Sequence, residues 1–201
     1  MNLLRLEDIA ALPGDTAVCL GTFDGVHLGH QALVSQTVAA ARAQGLIPCA
    51  YTFDLPPASV FARNGEITVL STLEEKAKLL GEHGIELVAY SHFDRTVADK
   101  TAEAFFEDIL VRTLRARHVV IGFHYHFGQK ARGDAQYMRA LCEKAGIGLS
   151  VVSPVRLPDG ELVSSTAIRE YLRQGDRAGA QRMLNRTLSA REEELLGGKD
   201  K

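Results

Sequence analysis

The stretch that decides the fold covers residues 17–30 and reads AVCLGTFDGVHLGH. Its first half, residues 17–23, is a nearly continuous apolar run that ends in glycine and polar side chains. Such a run is typical of a strand buried on both faces of a parallel sheet. Residues 28–43 follow with apolar side chains at helical spacing, so the chain passes from a buried strand directly into a helix.

The same alternation of strand and helix continues along the chain. Further strands are predicted over residues 47–53, 86–90, 118–123 and 149–152. Helices are predicted from residue 73, from residue 101 and over residues 134–145. This order predicts the α/β class with a doubly wound parallel sheet, whose ligands bind outside the carboxyl ends of the strands.

Capping and turn residues mark the boundaries of several elements. Ser71 and Glu74 have the spacing of a capping box, and Thr101 is a suitable first residue for the next helix. Residues 155–163 have Pro158-Asp159-Gly160 at their centre, which predicts a hairpin with a tight turn. Two short helices are then predicted over residues 166–174 and 176–185.

Length favours a single domain. The chain has 201 residues and a mass of 21.9 kDa. We predict a domain over residues 1–187, followed by a charged tail over residues 188–201 that is solvated or the remnant of a junction.

Composition narrows the class of protein. Hydrophobic residues make up 46% and the formal net charge is -2, so a globular fold is expected and phosphate-driven binding to nucleic acid is not. The chain has no apolar run of membrane-spanning length, and its first residues include acids, unlike a signal peptide. The three cysteines are far apart and have no CxxC spacing, which predicts reduced thiols in a cytoplasmic protein. Nothing in the sequence indicates an oligomeric state.

The first segment that can carry chemistry is the loop between the first strand and its helix. His27 and His30 are three residues apart and share one face of the first helical turn, and Gly29 leaves that face open. Free N–H groups and the positive end of the helix dipole favour an anion there. A phosphate site is the prediction. The alternatives are two surface histidines in a glycine-rich turn or part of a metal site.

The second segment is SSTAIR, residues 164–169. Ser164 or Ser165 is a natural N-cap, and Arg169 lies near the first turn of that helix. Alone, the pattern is typical of a capped helix with a solvated arginine. Together with the histidine segment, it predicts a second group of donors for a polyphosphate.

The motifs together resemble a known family. HxGH near the N-terminus and SSTxIR near the end are similar to the nucleotidylyltransferase superfamily, and the longer string GTFDGVHLGH resembles its bacterial FAD synthetase branch. That branch is the FMN adenylyltransferase module of bifunctional riboflavin biosynthesis enzymes. Further matches are Thr52-Phe53-Asp54 with Pro57, the string LSTLEEK ending at Lys76, and Phe127-Gly128 with Gly133-Asp134.

The resemblance implies a Rossmann-like nucleotidylyltransferase fold and transfer of AMP from ATP to FMN, giving FAD and pyrophosphate. It implies that the catalytic residues are His27, His30 and Arg169. The implied ATP-binding residues are Gly21, Phe23, Asp24, His27, Gly29, His30, Ser165, Thr166 and Arg169. The implied flavin-binding residues are Phe53, Pro57, His124 and Tyr125. No protein metal site is expected, because Mg²⁺ would be carried mainly by the substrate phosphates.

Two positions depart from the family pattern. Leu55 stands where a proline is usual, and His124 stands where Asn or Asp is common. These departures leave two alternatives: an adenylyl- or cytidylyltransferase for another phosphate-bearing acceptor, and a non-catalytic nucleotide- or flavin-binding protein. Because the chain stops at Lys201, we expect no riboflavin kinase module in it.

Three smaller features of the middle of the chain also enter as hypotheses. His124 and His126, as alternate strand residues, form a candidate transition-metal pair without an obvious third ligand. Lys130, Arg132 and Gly133 suggest a basic loop over the nucleotide. The aromatic candidates for stacking on a flavin are Tyr51, Phe53, Phe61 and Tyr125, although core packing is the ordinary role of any one of them.

Overall fold

The computed structural model describes residues 1–57 and 68–198. Its strands are β1 Asn2–Arg5, β2 Thr16–Leu20, β3 Ile47–Phe53, β4 Leu87–Ser91, β5 Ala116–Gly122 and β6 Gly148–Val152. In this part of the chain they form a six-stranded parallel sheet in the order β1-β4-β3-β2-β5-β6. The order reverses at β2, which lies between β3 and β5, so the loops after β2 and β5 diverge at the switch point of the sheet.

The helices cover both faces of the sheet. They are α1 Leu28–Gln44, α2 Leu73–Glu82, α3 Arg95–Ala98, α4 Ala102–Ala104, α5 Ala135–Ala145, α6 Ser165–Arg173, α7 Arg177–Leu184 and α8 Ala190–Glu194. Helix α4 continues without a break as a π-helical segment over Phe105–Thr113. Among the described residues, therefore, the predicted doubly wound α/β fold of Rossmann-like type is confirmed.

Strand β2 shows why the apolar run decides the fold. All five of its residues are buried. Val18 and Leu20 belong to the core cluster shared with Phe106 and Met138, on the face covered by α4 and α5. Cys19 belongs to the cluster on the opposite face, which α1 and α2 cover. Because successive side chains of a strand point to opposite faces, a strand covered on both sides is largely apolar. Thr16 is the polar exception, and its hydroxyl donates to the carbonyl of Leu114 at 2.6 Å.

Most predicted elements are confirmed, but several details differ, and helix α3 was not predicted. Strand β1 was missed, because it has only four residues, lies at the sheet edge and is largely exposed. The capping box of α2 is formed by Thr72 and Glu75, one residue later than predicted. The helix predicted from residue 101 is π-helical over Phe105–Thr113. Strand β5 ends at Gly122, so His124 and His126 lie in the following turn and not on a strand.

The C-terminal residues differ from the prediction of a solvated tail. Residues Ala190–Glu194 form α8, with Ser189 and Glu192 as a capping box. Leu188 and Glu192 are buried, and Leu188 belongs to the same apolar cluster as Met183 and Leu184. The prediction of a solvated tail was wrong for residues 188–196, because leucines in this charged segment pack against an apolar cluster and Glu192 forms a buried ion pair with Arg186. Residues 199–201 lie outside the described residues.

The structure also shows the state of the cysteines and the character of the helices. Cys19, Cys49 and Cys142 are free thiols, and all three are buried. Among residues 1–57 and 68–198, no helix is both long enough and apolar enough to span a bilayer.

Candidate active site

A large cleft opens at the carboxyl ends of β2, β3, β5 and β6. Its volume is about 1070 Å³. The predicted phosphate residues that line it are Gly21, His27, Gly29 and His30. The predicted flavin residues that line it are Phe53, Pro57, His124 and Tyr125. The cleft therefore brings together two predicted groups whose members lie as much as about a hundred residues apart in the sequence.

A smaller cavity of about 370 Å³ adjoins the first. Asp24, Ser165, Thr166 and Arg169 line it, and it shares Thr22 and Pro57 with the larger cleft. The SSTxIR segment thus faces a cavity next to the histidine pair. The loop after β2 contributes residues to both cavities.

The two histidines form a stacked and largely buried pair. Their ring centroids are 3.7 Å apart and their planes differ by 14°. His27 is the N-cap of α1, where its Nδ1 accepts a hydrogen bond from the backbone N–H of His30 at 3.4 Å. A neutral His27 with Nδ1 as acceptor carries its proton on Nε2, so it has one donor left for a ligand. The Nδ1 of His30 is buried and has no hydrogen-bond partner among the described residues.

Burial keeps both imidazoles neutral at physiological pH. Loss of solvation lowers the pKa of His27 from 6.5 to about 4. Loss of solvation, the neighbouring His27 and the Lys76 ammonium hold the pKa of His30 well below its ordinary value. The histidines therefore act as neutral hydrogen-bonding groups beside the N-terminus of α1, and the N–H groups and dipole of that helix attract an anion.

The loop before α1 has an unusual backbone. Phe23, Gly25 and Val26 have φ angles of 50°, 80° and 45°. Residues other than glycine rarely adopt this left-handed backbone conformation, and such strain is found mainly where function requires a particular geometry. Gly29 is needed for a different reason, since a Cβ there would lie 3.1 Å from Cε1 of His27.

Asp24 is the centre of a buried hydrogen-bond network. One carboxylate oxygen accepts from the backbone N–H groups of Leu70 and Ser71 at 2.9 and 3.1 Å. The other pairs with Nη2 of Arg169 at 2.5 Å. The Nε of Arg169 donates to the carbonyl of Thr68 at 2.6 Å. These contacts fix the orientation of the guanidinium where it lines the smaller cavity.

Several residues that were predicted to bind ATP make contacts within the protein. Asp24 is 1% exposed, and its carboxylate oxygens contact the backbone N–H groups of Leu70 and Ser71 and the guanidinium of Arg169. Phe23 is fully buried and packs edge-on against His30, with centroids 5.2 Å apart. Ser164 is the N-cap of α6, whereas the Ser165 hydroxyl donates to the carbonyl of Asp24 at 2.9 Å.

Comparison with known proteins identifies the family. A family model described as FAD synthetase matches residues 9–167. The chain belongs to the FAD synthetase family.

The relatives extend the likeness over most of the chain. A protein of Geobacillus thermodenitrificans is 34% identical over 165 residues, which are 82% of this chain and 86% of that protein. The bifunctional riboflavin kinase/FMN adenylyltransferase of Escherichia coli K12 is 33% identical over 189 residues, which are 92% of this chain and 59% of that protein. A solved structure described as a macrolide-efflux protein from Streptococcus pneumoniae superimposes with a TM-score of 0.83 at 28% identity, covering 92% of this chain and 60% of its own.

Lys76 is the last residue of the LSTLEEK string, but it was not predicted as a site residue of this FAD synthetase-family chain. The ammonium of Lys76 is 3.0 Å from the carbonyl of Phe53 and 3.4 Å from the hydroxyl of Thr52. The Thr52 hydroxyl in turn donates to the carbonyl of Thr22 at 3.1 Å. Lys76 is 1% exposed, and burial lowers its pKa to about 8. This chain of hydrogen bonds ties the end of β3 to the loop that both cavities share.

Several aromatic side chains line the remainder of the large cleft. Phe53 packs edge-on against Tyr51 and Phe93, and the ring of Tyr125 is stacked on Phe127 with centroids 6.0 Å apart. Lys130 lines this cleft, as the hypothesis of a basic loop requires. Arg132 is exposed and is not among the lining residues, and Gly133 pairs with Phe127 in an antiparallel bridge.

Of the two departures from the family pattern, His124 lines this cleft and Leu55 does not. Leu55 is 45% exposed, and His124 is exposed in the turn after β5. The Nδ1 of His126 lies 3.0 Å from the carbonyl of His124. Within residues 1–57 and 68–198, no three His, Cys, Asp or Glu side chains are grouped to hold a metal ion. Phe61, a predicted stacking residue, lies outside the described residues.

Proposed function

We propose that this chain transfers AMP from ATP to the phosphate of FMN, forming FAD and releasing pyrophosphate. Membership of the FAD synthetase family supports the reaction class. The observation that carries the proposal is the adjacency of two cavities, one with the His27–His30 pair and the other with Arg169, joined at the loop after β2. This arrangement suits one nucleoside triphosphate whose phosphates reach both the histidine pair and Arg169.

The reaction needs alignment and charge stabilisation more than proton transfer. The phosphate of FMN is already a nucleophile, so no general base has to generate it. An oxygen of FMN must be held in line with the α-phosphorus of ATP while negative charge moves to the departing pyrophosphate. We propose that His27 and His30 hold the transferring and leaving phosphates, and that Arg169 with Ser165 and Thr166 holds the β/γ end.

The flavin would occupy the apolar side of the large cleft. Phe53, Pro57 and Tyr125 line that side and offer ring faces and apolar contacts. His124 lines the same cleft in the position where the family pattern has an amide or carboxylate, and it can form a hydrogen bond to the acceptor.

We propose that Mg²⁺ takes part in the reaction bound to the substrate phosphates. Asp24 is engaged by Arg169 and backbone N–H groups, and the described residues contain no group of three ligands for a metal. Mg²⁺ would therefore be held mainly by phosphate oxygens and would neutralise their charge when bound. A cytoplasmic location, where ATP and FMN are available, completes the proposal.

The test is to incubate the purified chain with ATP, Mg²⁺ and FMN, and to measure FAD by chromatography and pyrophosphate by a coupled assay. Riboflavin is the matched control, because it has the flavin ring but no phosphate to attack ATP. Stoichiometric FAD and pyrophosphate from FMN alone would support the proposal. Pyrophosphate release only with a pantetheine or nicotinamide phosphate, or only with CTP, would replace it with another nucleotidyl transfer.

A further inference from the structure

A buried ion pair connects the C-terminal segment with the loop that precedes α1. Arg186 and Glu192 form two parallel hydrogen bonds, each 2.7 Å long. Glu192 is fully buried, and the Arg186 side chain is 19% exposed. The Nη2 of Arg186 also donates to the carbonyl of Gly25 at 3.0 Å. Both residues lie beyond residue 167, where the match to the family model ends.

The same segment makes a second contact near the site. The Nε of Arg191 donates to the carbonyl of Val69 at 2.8 Å. The next two residues, Leu70 and Ser71, supply the backbone N–H groups that bind Asp24. The C-terminal segment therefore holds both stretches of chain that meet at the carboxylate of Asp24.

The contact with Gly25 lies at the strained part of the loop. Gly25 has a φ of 80°, and the neighbouring Val26 has a φ of 45°. The N–H of Gly25 donates to the Ser71 hydroxyl at 3.0 Å, so Arg186 supplies the contact on the carbonyl side. Strained backbone persists only where several contacts determine it. His27 follows two residues later as the N-cap of α1, and it lines the large cleft.

We propose that Arg186, oriented by Glu192, is a positioning residue for nucleotidyl transfer: it holds the Gly25 loop so that His27 and the N-terminus of α1 meet the phosphates. The inference rests on the proposed function. The guanidinium suits this role because its planar fork binds the carboxylate at two points while it also donates to a carbonyl. Arg186 does not line either cavity, so it acts through the loop and not on the substrate.

The experiment separates positioning from stability. Replacing a buried ion pair by apolar residues of similar size commonly preserves stability, so the test variant is Arg186→Met with Glu192→Leu. The matched control is Arg177→Met with Glu193→Leu, because Arg177 of α7 and Glu193 of α8 form an exposed two-point ion pair in the same C-terminal segment. Melting temperature, kcat for FMN adenylylation, and calorimetric affinity for a non-hydrolysable ATP analogue are measured for both.

In the test variant we expect a retained melting temperature, a weaker affinity for the ATP analogue and a kcat lower by up to about 10²-fold, because a misplacement of about 1 Å far from the chemistry can have an effect of this size. The control variant should match wild type. Values in the test variant within about twofold of the control would overturn the positioning role. If the double variant does not fold, Glu192→Gln is compared with Glu193→Gln by the same criteria. If wild type does not adenylylate FMN, the proposed function fails, and the positioning role is then judged by affinity for the ATP analogue alone.

Discussion

The buried state of His27 predicts that the free protein loses stability in mild acid. Its pKa is lowered from 6.5 to about 4 by burial. A histidine whose pKa is depressed in the folded state binds its proton more readily when the chain unfolds. The contribution to stability is therefore complete above pH 6.5 and is lost as the pH falls from 6.5 toward 4.

The size of the effect follows from this pKa difference. At pH 5.5 the unfolded chain binds about 0.9 proton at this site, whereas the folded chain binds almost none. Between pH 7 and pH 5.5 the free energy of unfolding should fall by about 1 kcal/mol because of His27, and the loss should approach about 3 kcal/mol near pH 4. His27 is only 7% exposed, so solvent screening does not remove the effect.

The assay is urea unfolding followed by circular dichroism at pH 7 and pH 5.5, for wild type and His27→Asn. Asparagine is the appropriate replacement because it also caps a helix but does not titrate in this range. Other histidines contribute with either sign, since burial lowers the pKa of His30 and the carboxylate of Asp54 raises that of His92. The contribution of His92 is common to both proteins. His27 itself lowers the pKa of the stacked His30, so the difference between the two pH dependences reports His27 together with its effect on His30.

We expect wild type to lose about 1 kcal/mol more than His27→Asn over this interval. Equal losses in the two proteins would refute the reasoning, because His27 would then titrate alike in the folded and unfolded states. A phosphate ligand near the ring should stabilise its protonated form, so the difference should shrink when a saturating ATP analogue is present.

Three further perturbations address the same site. His30→Ala should lower kcat for FMN adenylylation by about 10²–10³-fold with a smaller change in ATP affinity, because a hydrogen-bond donor to developing charge acts mainly in the transition state. Steady-state kinetics at varied ATP test this, and an unchanged kcat would remove His30 from the mechanism. Gly29→Ala places a Cβ 3.1 Å from the His27 ring, so kcat should fall while melting temperature changes little, and an unaltered kcat would show that the ring can give way. For Lys76, whose pKa is lowered from 10.5 to about 8, wild type should gain about 2 kcal/mol of stability between pH 8 and pH 10 because the folded state loses its proton first. Lys76→Met should lack this gain in urea unfolding at those two pH values, and parallel curves would show that the amine is not desolvated.

The sequence was most informative where local chemistry determines structure. The apolar run at β2 predicts a strand covered on both faces, and all five residues of β2 are buried. The motif of His27, Gly29 and His30 is contiguous, so its loop, helix and glycine could be recognised together. The family resemblance stated from these motifs agrees with the FAD synthetase model that matches residues 9–167.

Local choices between equivalent neighbours were less predictable. Ser71 and Thr72 are both good N-caps, and Thr72 is the one that caps α2. Ser71 is instead held at the Asp24 network, where its hydroxyl accepts from the N–H of Gly25. Only the position of the distant loop decides between them, because both residues satisfy the local rule.

The sequence by itself determined the alternation of strands and helices from β2 to β6, the buried sheet and the two motifs proposed to bind phosphate, since each depends on residues within a few positions of one another. Tertiary structure alone decided the partners of the charged side chains. Asp24 and Arg169 are 145 residues apart, and Gly25 and Arg186 are 161 residues apart, yet each pair is joined by a hydrogen bond. A buried charge needs a partner, but its own neighbours in sequence do not reveal which one, because the packing of the whole chain selects the groups that meet.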